Sequence, residues 1–219
     1  MKVHFDALLL LCARIVRNTL IDLRFGSLPR LNIKTWRNNG LFFDAHTDYA
    51  ALSCIFKNQI KASDVLIDIG CRKGRVINWW LSQGLRNRMV GIELDEKIAN
   101  ETRIRLRRYE NVSIITGDAN HNIPADGTLF YLYNPFPAPV VKAFKDCLMS
   151  IFGKRGNITL LYYNCEYVDI FQQDPAWNVE ITDVGRHSPL PFSQLAVIKL
   201  SRQPVPDNES GAVSPSIRS

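Results

Sequence analysis

The chain has 219 residues, 46% of them hydrophobic, and a formal net charge of +6. That is enough apolar material for one sizeable core and excludes disorder as the overall state. Residues 1–40 hold seven basic side chains against Asp6 and Asp22, a local +5, so nearly all the positive excess is N-terminal. The five cysteines are scattered, with no CxxC pair or nearby histidine of the kind a zinc site requires, and fit a reducing cytoplasm.

Residues 5–24 place Phe5, Leu8, Leu9, Cys12, Val16, Leu20 and Leu23 at helical spacing, with Arg14, Arg17 and Asp22 mostly off that stripe. The spacing predicts an amphipathic helix, stopped by Gly26 and Pro29. Its most apolar stretch, 7–13, is bracketed by Asp6 and Arg14 and is far shorter than the ~20 residues of a membrane span. Arginines follow it where a secretory cleavage site would lie. A second helix is predicted over 48–58, capped by Thr47 or Asp48, with Tyr49, Leu52, Ile55 and Phe56 on its buried side.

From Val65 the pattern changes to short aliphatic runs at 65–69, 89–93, 112–116, 128–133, 158–163, 179–184 and 195–200, seven strand candidates in all. Amphipathic helices are predicted between them over 73–84, 95–108 and 138–152. Alternation of this kind with continuously apolar strands predicts an α/β fold, a doubly wound and mostly parallel sheet covered on both faces. Only a loop with Gly185, Pro189 and Pro191 separates the last two strands, so they are expected to pair antiparallel at the sheet edge, the terminal strand running against the others. The expected organisation is a basic helical accessory segment over 1–44, one domain over 45–201 and a disordered tail over 202–219.

Ligands of such sheets bind beyond the carboxyl ends of the strands, which directs attention to the turns there. The first turn, Asp68-Ile69-Gly70-Cys71-Arg72-Lys73-Gly74, runs from strand into helix with two glycines that permit a tight bend. The second strand ends on Glu93, 19 positions after Gly74, where a carboxylate is placed to accept ribose hydroxyls. The third turn is Thr116-Gly117-Asp118-Ala119 and the fourth Tyr133-Asn134-Pro135-Phe136-Pro137. Each has a plain structural alternative: a simple turn for the glycines, a helix cap or solvated acid for Glu93.

Together these turns resemble those of the class I S-adenosylmethionine (AdoMet) dependent methyltransferases, over about residues 45–200. The resemblance implies a Rossmann-like seven-stranded fold, AdoMet as cofactor, and cofactor-binding roles for Asp68, Gly70, Cys71, Gly74, Glu93 and Asp118. It places Asn134 and Phe136 at the acceptor as the catalytic pair, by likeness to an Asn-Pro-Pro-Tyr/Phe motif that orients a target amine. The Asn-Pro-Phe-Pro order here matches that motif only in part, and the chain looks more like uncharacterised bacterial methyltransferases with a Tyr-Asn-Pro-Phe stretch. No acceptor follows, whether small molecule or macromolecule; nucleic acid is not favoured. The basic residues 1–40 are a candidate lid over the acceptor site or a contact for an anionic membrane surface, with an accessory helix packed on the sheet as the plain alternative.

One departure stands out, because Arg72 occupies the place of the family's middle glycine. If that position needs positive φ, an arginine there carries strain of ~1 kcal/mol or more. The alternative to an active enzyme is therefore a non-catalytic AdoMet-fold binding protein; a nicotinamide-dependent oxidoreductase is a second, disfavoured rival. Arg103, Arg105, Arg107 and Arg108, interleaved with glutamates, are read as a solvated helix face. Trp79 and Trp80 are expected against the sheet, and His46, His121 and His187 in loops near the cleft.

Overall fold

The structure is a computed structural model that describes residues 2–27, 47–133, 136–185 and 194–201. Its elements in order are α1 (Lys2–Arg24), α2 (Tyr49–Ile55), β1 (Leu66–Ile69), α3 (Arg75–Ser82), β2 (Met89–Glu93), α4 (Glu96–Leu106), β3 (Val112–Thr116), α5 (Ala119–Asn122), β4 (Leu129–Tyr133), α6 (Ala138–Phe152), β5 (Thr159–Tyr163), α7 (Asp169–Gln172), β6 (Trp177–Asp183) and β7 (Gln194–Leu200). Each predicted strand and helix appears within a few residues of its expected bounds. The four-residue α5 and α7 are additions, too short to leave a periodic signal.

The strands form one sheet in the order β3-β2-β1-β4-β5-β7-β6. All pairings from β3 to β5 are parallel, whereas β7 runs antiparallel to both β5 and β6. β7 therefore lies inside the sheet and β6 forms its edge. Strand order reverses between β1 and β4, which opens a crevice at the carboxyl ends of those two strands. In register, Asp68 of β1 faces Gly91 of β2 on one side and Tyr131 of β4 on the other.

Two hydrophobic layers sandwich the sheet. On one face α2, α3 and α4 pack Leu52, Ile55, Trp80, Ala99 and Leu106 against Leu66, Met89 and Tyr131. On the other, Val141, Phe144, Leu148 and Phe152 of α6 and Phe171 of α7 cover Ile67, Phe130 and Leu160. Both tryptophans of α3 are core residues, and Phe56 stacks on Trp79 with ring centroids 5.2 Å apart while meeting Trp80 edge-on at 5.5 Å. Asp48 caps α2 by accepting from the Ala50 N–H at 2.7 Å. Thr47 is used differently: its hydroxyl shares a 2.7 Å hydrogen bond with Tyr131.

α1 reaches this sandwich through polar groups. Asp22, only 4% exposed, accepts from the Tyr49 hydroxyl at 2.6 Å and from Arg75 at 2.5 Å. One turn earlier, Asn18 donates to Asp48 at 2.9 Å. The tie joins α1, α2 and α3 through a charged group that burial would otherwise penalise. Burial and the neighbouring Asp22 charge both push the Tyr49 hydroxyl pKa upward, so it stays a donor across the physiological range. Tyr49→Phe should lower the unfolding free energy by about 1–3 kcal/mol, the cost of leaving a buried charged acceptor short of one donor. Urea denaturation of the variant measures this, and an unchanged midpoint would show that the bond contributes nothing.

Candidate functional site

The glycine turn after β1 is built on left-handed backbone. Gly70, Arg72 and Gly74 have φ of 72°, 47° and 65°. Of the two alternatives for the middle position, the positive φ is the one found, and an arginine occupies it. Three bonds from neighbouring elements hold that strained peptide: the Arg72 N–H donates to Glu93 Oε2 at 2.8 Å, the Thr102 hydroxyl donates to the Arg72 carbonyl at 2.9 Å, and Arg105 donates to the Lys73 carbonyl at 2.5 Å. The Gly70 and Cys71 N–H groups both donate to Ile92 O at 2.9 Å, and the Gly74 N–H donates to Cys71 O at 2.7 Å. Most of the turn's amide protons are thus used by the chain itself.

Two of the glycines do opposite things. A Cβ at Gly70 would meet nothing within 4 Å, so the backbone there is open on its outer side. At Gly74 a Cβ would press on Thr102 and Leu106 at 3.2 and 3.3 Å, so this glycine lets α4 close on the start of α3.

Asp68 is 2% exposed, and its Oδ2 has no hydrogen-bond partner among the described residues. Burial, with the charge of Glu93 adding to it, pushes its carboxyl pKa up to about 8. A polar atom this deeply buried is costly unless something pairs with it. Tyr131 sits beside it on β4, and Tyr133 and Tyr163 face each other one pleat further along the same side, their rings 5.5 Å apart. A buried acid and tyrosine rings therefore line the carboxyl ends of β1, β4 and β5.

Glu93 lies at the end of β2, 7% exposed, next to the turn as expected. Its second oxygen accepts from the Asp95 N–H at 2.9 Å, so the carboxylate joins two loops. A carboxylate offers about four acceptor positions, and the two backbone bonds leave roughly half of them open. Cys71 is buried, its thiol pushed up in pKa by desolvation first and by Asp68 and Glu93 after it. A Cβ at Gly91 would come within 2.6 Å of its sulfur, which explains a glycine in the middle of β2. Asp118 takes the helix-cap position, accepting from Asn120 N at 2.9 Å at the start of α5, with its side chain half exposed. Phe136 is partly buried against the α6 layer. Asn134 lies outside the described residues, as do His46 and His187; His121 is on α5, 80% exposed and 3.7 Å from Asp118.

Of the four arginines expected on a solvated face, Arg103, Arg107 and Arg108 are exposed, and Arg105 departs from it. Arg105 is half-buried, and besides Lys73 O it reaches Phe25 O at 2.7 Å and Asn78 at 3.1 Å. Desolvation lowers its pKa, opposed by nearby acidic groups. Arg103 donates to Ile114 O and to Thr116. Thr102 and Arg105 were invisible as site residues in the sequence, because their partners lie 30 and 32 positions away. Among the described residues no cluster of His, Cys, Asp and Glu is placed to hold a metal ion.

No family model matches the chain, and no curated protein matches it in sequence. Solved structures do match it in fold. An RNA methyltransferase from Salinibacter ruber, in complex with S-adenosyl-L-homocysteine, aligns at 18% identity and TM-score 0.51 over 75% of this chain and 98% of its own. The S-adenosylhomocysteine-bound Podospora anserina methyltransferase PaMTH1 aligns at 14% identity and TM-score 0.54 over 72% and 80%. The mitomycin 7-O-methyltransferase MmcR aligns at 13% identity and TM-score 0.54 over 70% and 53%. The chain therefore has the Rossmann-like fold of the class I methyltransferases, with the seven strands and antiparallel last strand expected from its sequence.

Two outcomes follow from the turn. In the folded chain Asp68 stays protonated up to about pH 8, whereas an unfolded aspartate titrates near ~3.9. The folded state thus binds more protons in between, and stability falls as pH rises from ~4 to 8. Asp68→Asn should flatten that slope in denaturation measured across the range; an equally steep slope would place its origin elsewhere. Arg72→Gly should stabilise the fold by up to about 1 kcal/mol by relieving left-handed strain, less the extra chain entropy of glycine. A lower urea midpoint would mean that the arginine side chain contributes more than its backbone costs.

Proposed function

We propose that the protein is an AdoMet-dependent methyltransferase. Asp68 carries this reading: a buried carboxyl with one oxygen unpartnered among the described residues, beneath a turn whose Gly70 is open, at the switch point of a sheet with this fold. The residues present fit AdoMet. An ammonium group is the partner that would let Asp68 ionise in place, the open acceptor positions of Glu93 suit ribose hydroxyls, and Asp118 at the end of β3 suits the adenine amine. When bound, the cofactor supplies an electrophilic methyl group on a sulfonium sulfur, which passes to a nucleophile and leaves S-adenosylhomocysteine.

The chain's own work is then positional. Glu93 and Asp68 hold polar groups at fixed places; Thr102 and Arg105 keep the turn in shape; Asn134, next in sequence after β4, is assigned to accept a hydrogen bond from an acceptor amine and align its lone pair. Proximity and orientation of this kind supply most of the rate in a direct transfer. Phe136, packed in part against the α6 layer, forms one wall of the acceptor side. The acceptor itself is the open variable, and labelled AdoMet offered with fractionated host extract is the direct way to find it.

A dinucleotide-binding role fits less well. Its glycine turn donates backbone N–H groups to a pyrophosphate, and here the Gly70, Cys71, Arg72 and Gly74 amides are already bonded to Ile92, Glu93 and Cys71. A non-catalytic binding protein shares every cofactor contact proposed above, so it parts from the enzyme only at turnover.

Calorimetry should detect AdoMet binding, with proton release in neutral buffers as Asp68 ionises, and Glu93→Ala should weaken it by about 1–3 kcal/mol. Absence of AdoMet binding would overturn the assignment. Asn134→Ala should keep near-normal AdoMet affinity yet lose roughly 10²-fold or more in transfer rate once an acceptor is in hand. Normal turnover by that variant would remove Asn134 from the reaction and favour an acceptor other than an amine.

A further inference from the structure

α1 is mounted with its apolar stripe outward. Asn18, Ile21 and Asp22 face the domain, where Asn18 and Asp22 bond to Asp48, Tyr49 and Arg75 and Ile21 packs on the core. On the opposite side Val16, Leu20 and Leu23 are 56%, 62% and 45% exposed, and Cys12 is exposed one turn earlier. The spacing i, i+4, i+8, i+11 puts these four on one line along a helix. An amphipathic helix ordinarily buries such a line; this one is anchored by its polar side and presents its aliphatic side.

Cations lie along one flank of the stripe and at its C-terminal end. Arg17 and Arg24 are exposed on its flank. The end of α4 comes close enough for Arg108 to donate to Arg24 O at 3.5 Å, bringing exposed Arg107 and Arg108 to the same end. The acid on this part of α1, Asp22, is buried and paired with Arg75, so it subtracts little from the field outside.

We propose that this face of α1 seats the protein on an anionic lipid surface, lying in the interface rather than crossing it. A helix with exposed aliphatic residues and flanking arginines gains both from burying the stripe at the acyl boundary and from attraction to anionic headgroups. The helix has 23 residues, about 34 Å at 1.5 Å per residue, yet no helix among the described residues is apolar enough to span a bilayer. A second copy of the chain fits this face poorly, because it would set exposed Arg17 and Arg24 against the same arginines of its partner. Nucleic acid would engage the arginines but leave the aliphatic line in water. The proposal is independent of methyl transfer.

The test is co-sedimentation of the full chain with vesicles of phosphatidylglycerol and phosphatidylcholine, beside vesicles of phosphatidylcholine alone. Binding is expected only to the anionic vesicles, weakening as salt is raised. The double variant Val16→Glu, Leu20→Glu should bind roughly tenfold or more weakly with unchanged circular dichroism and melting temperature, since both side chains are exposed. Arg17→Gln with Arg24→Gln should also lose binding and leaves the stripe intact, so the charge contribution is read separately. Equal binding to both vesicle types, or none to either, overturns the proposal. So does a wild-type dimer that the Val16, Leu20 variant converts to monomer without any vesicle binding, or RNA retention in place of vesicle binding that depends on the arginines alone.

Discussion

The left-handed turn from Gly70 to Gly74 is the constraint around which the rest of the site is arranged. Turning from β1 into α3 so tightly needs three residues at positive φ, and one of them is Arg72, for which that backbone is unfavourable. Glu93 takes the Arg72 N–H, Thr102 serves its carbonyl and Arg105 serves the next one. The strain is thus met by three side chains from the end of β2 and from α4. Gly74 allows the approach of α4 that puts Thr102 and Arg105 within reach, and Gly91 makes room for the Cys71 sulfur beneath the turn. Changing any one of these alters the geometry of the others.

Glu93 gains two duties from this arrangement. As a backbone acceptor it fixes the turn, and as a carboxylate with open acceptor positions it remains suited to a ligand's hydroxyls. Asp68 differs sharply although it is a neighbour of the same chemical type. Among the described residues one of its oxygens is unpaired, and burial raises its pKa to about 8, so it keeps its proton at neutral pH. Two neighbouring carboxyl groups thus differ in surroundings, one bonded to backbone N–H groups and one buried with a raised pKa.

Most of the fold could be read from the chain, because its signals are local. Apolar runs such as Leu129–Tyr133 and Thr159–Tyr163 mark buried parallel strands, and Gly185, Pro189 and Pro191 in the sequence give no sign of a helix between the last two. Strain at Arg72 was legible only as an alternative, through the resemblance, whose pattern has a glycine where this chain has Arg72. What the sequence does not show is which partner a polar residue finds across the fold. Arg105 lies among exposed arginines in sequence yet turns toward Lys73 O and Phe25 O, and Asp118 reads as well for a ligand as for the α5 cap it forms. α1 is the clearest case: its stripe was plain, but the side that docks depends on Asn18 and Asp22 meeting Asp48 and Arg75, 30 and 53 residues further on.

The Asp22 tie has a consequence for how the molecule opens. Tyr49 and Arg75 bind the same carboxylate from α2 and from the first residue of α3, directly after the glycine turn. If α1 frays from its far end, the fraying stops where separation would strand a buried charge, so the last turns of α1 belong to the same cooperative unit as the sheet's helical face. Amide protons around Ile21 to Arg24 then exchange with solvent only as fast as that unit opens. The last turn of α1 and the end of the glycine turn are, in energetic terms, one piece of the protein.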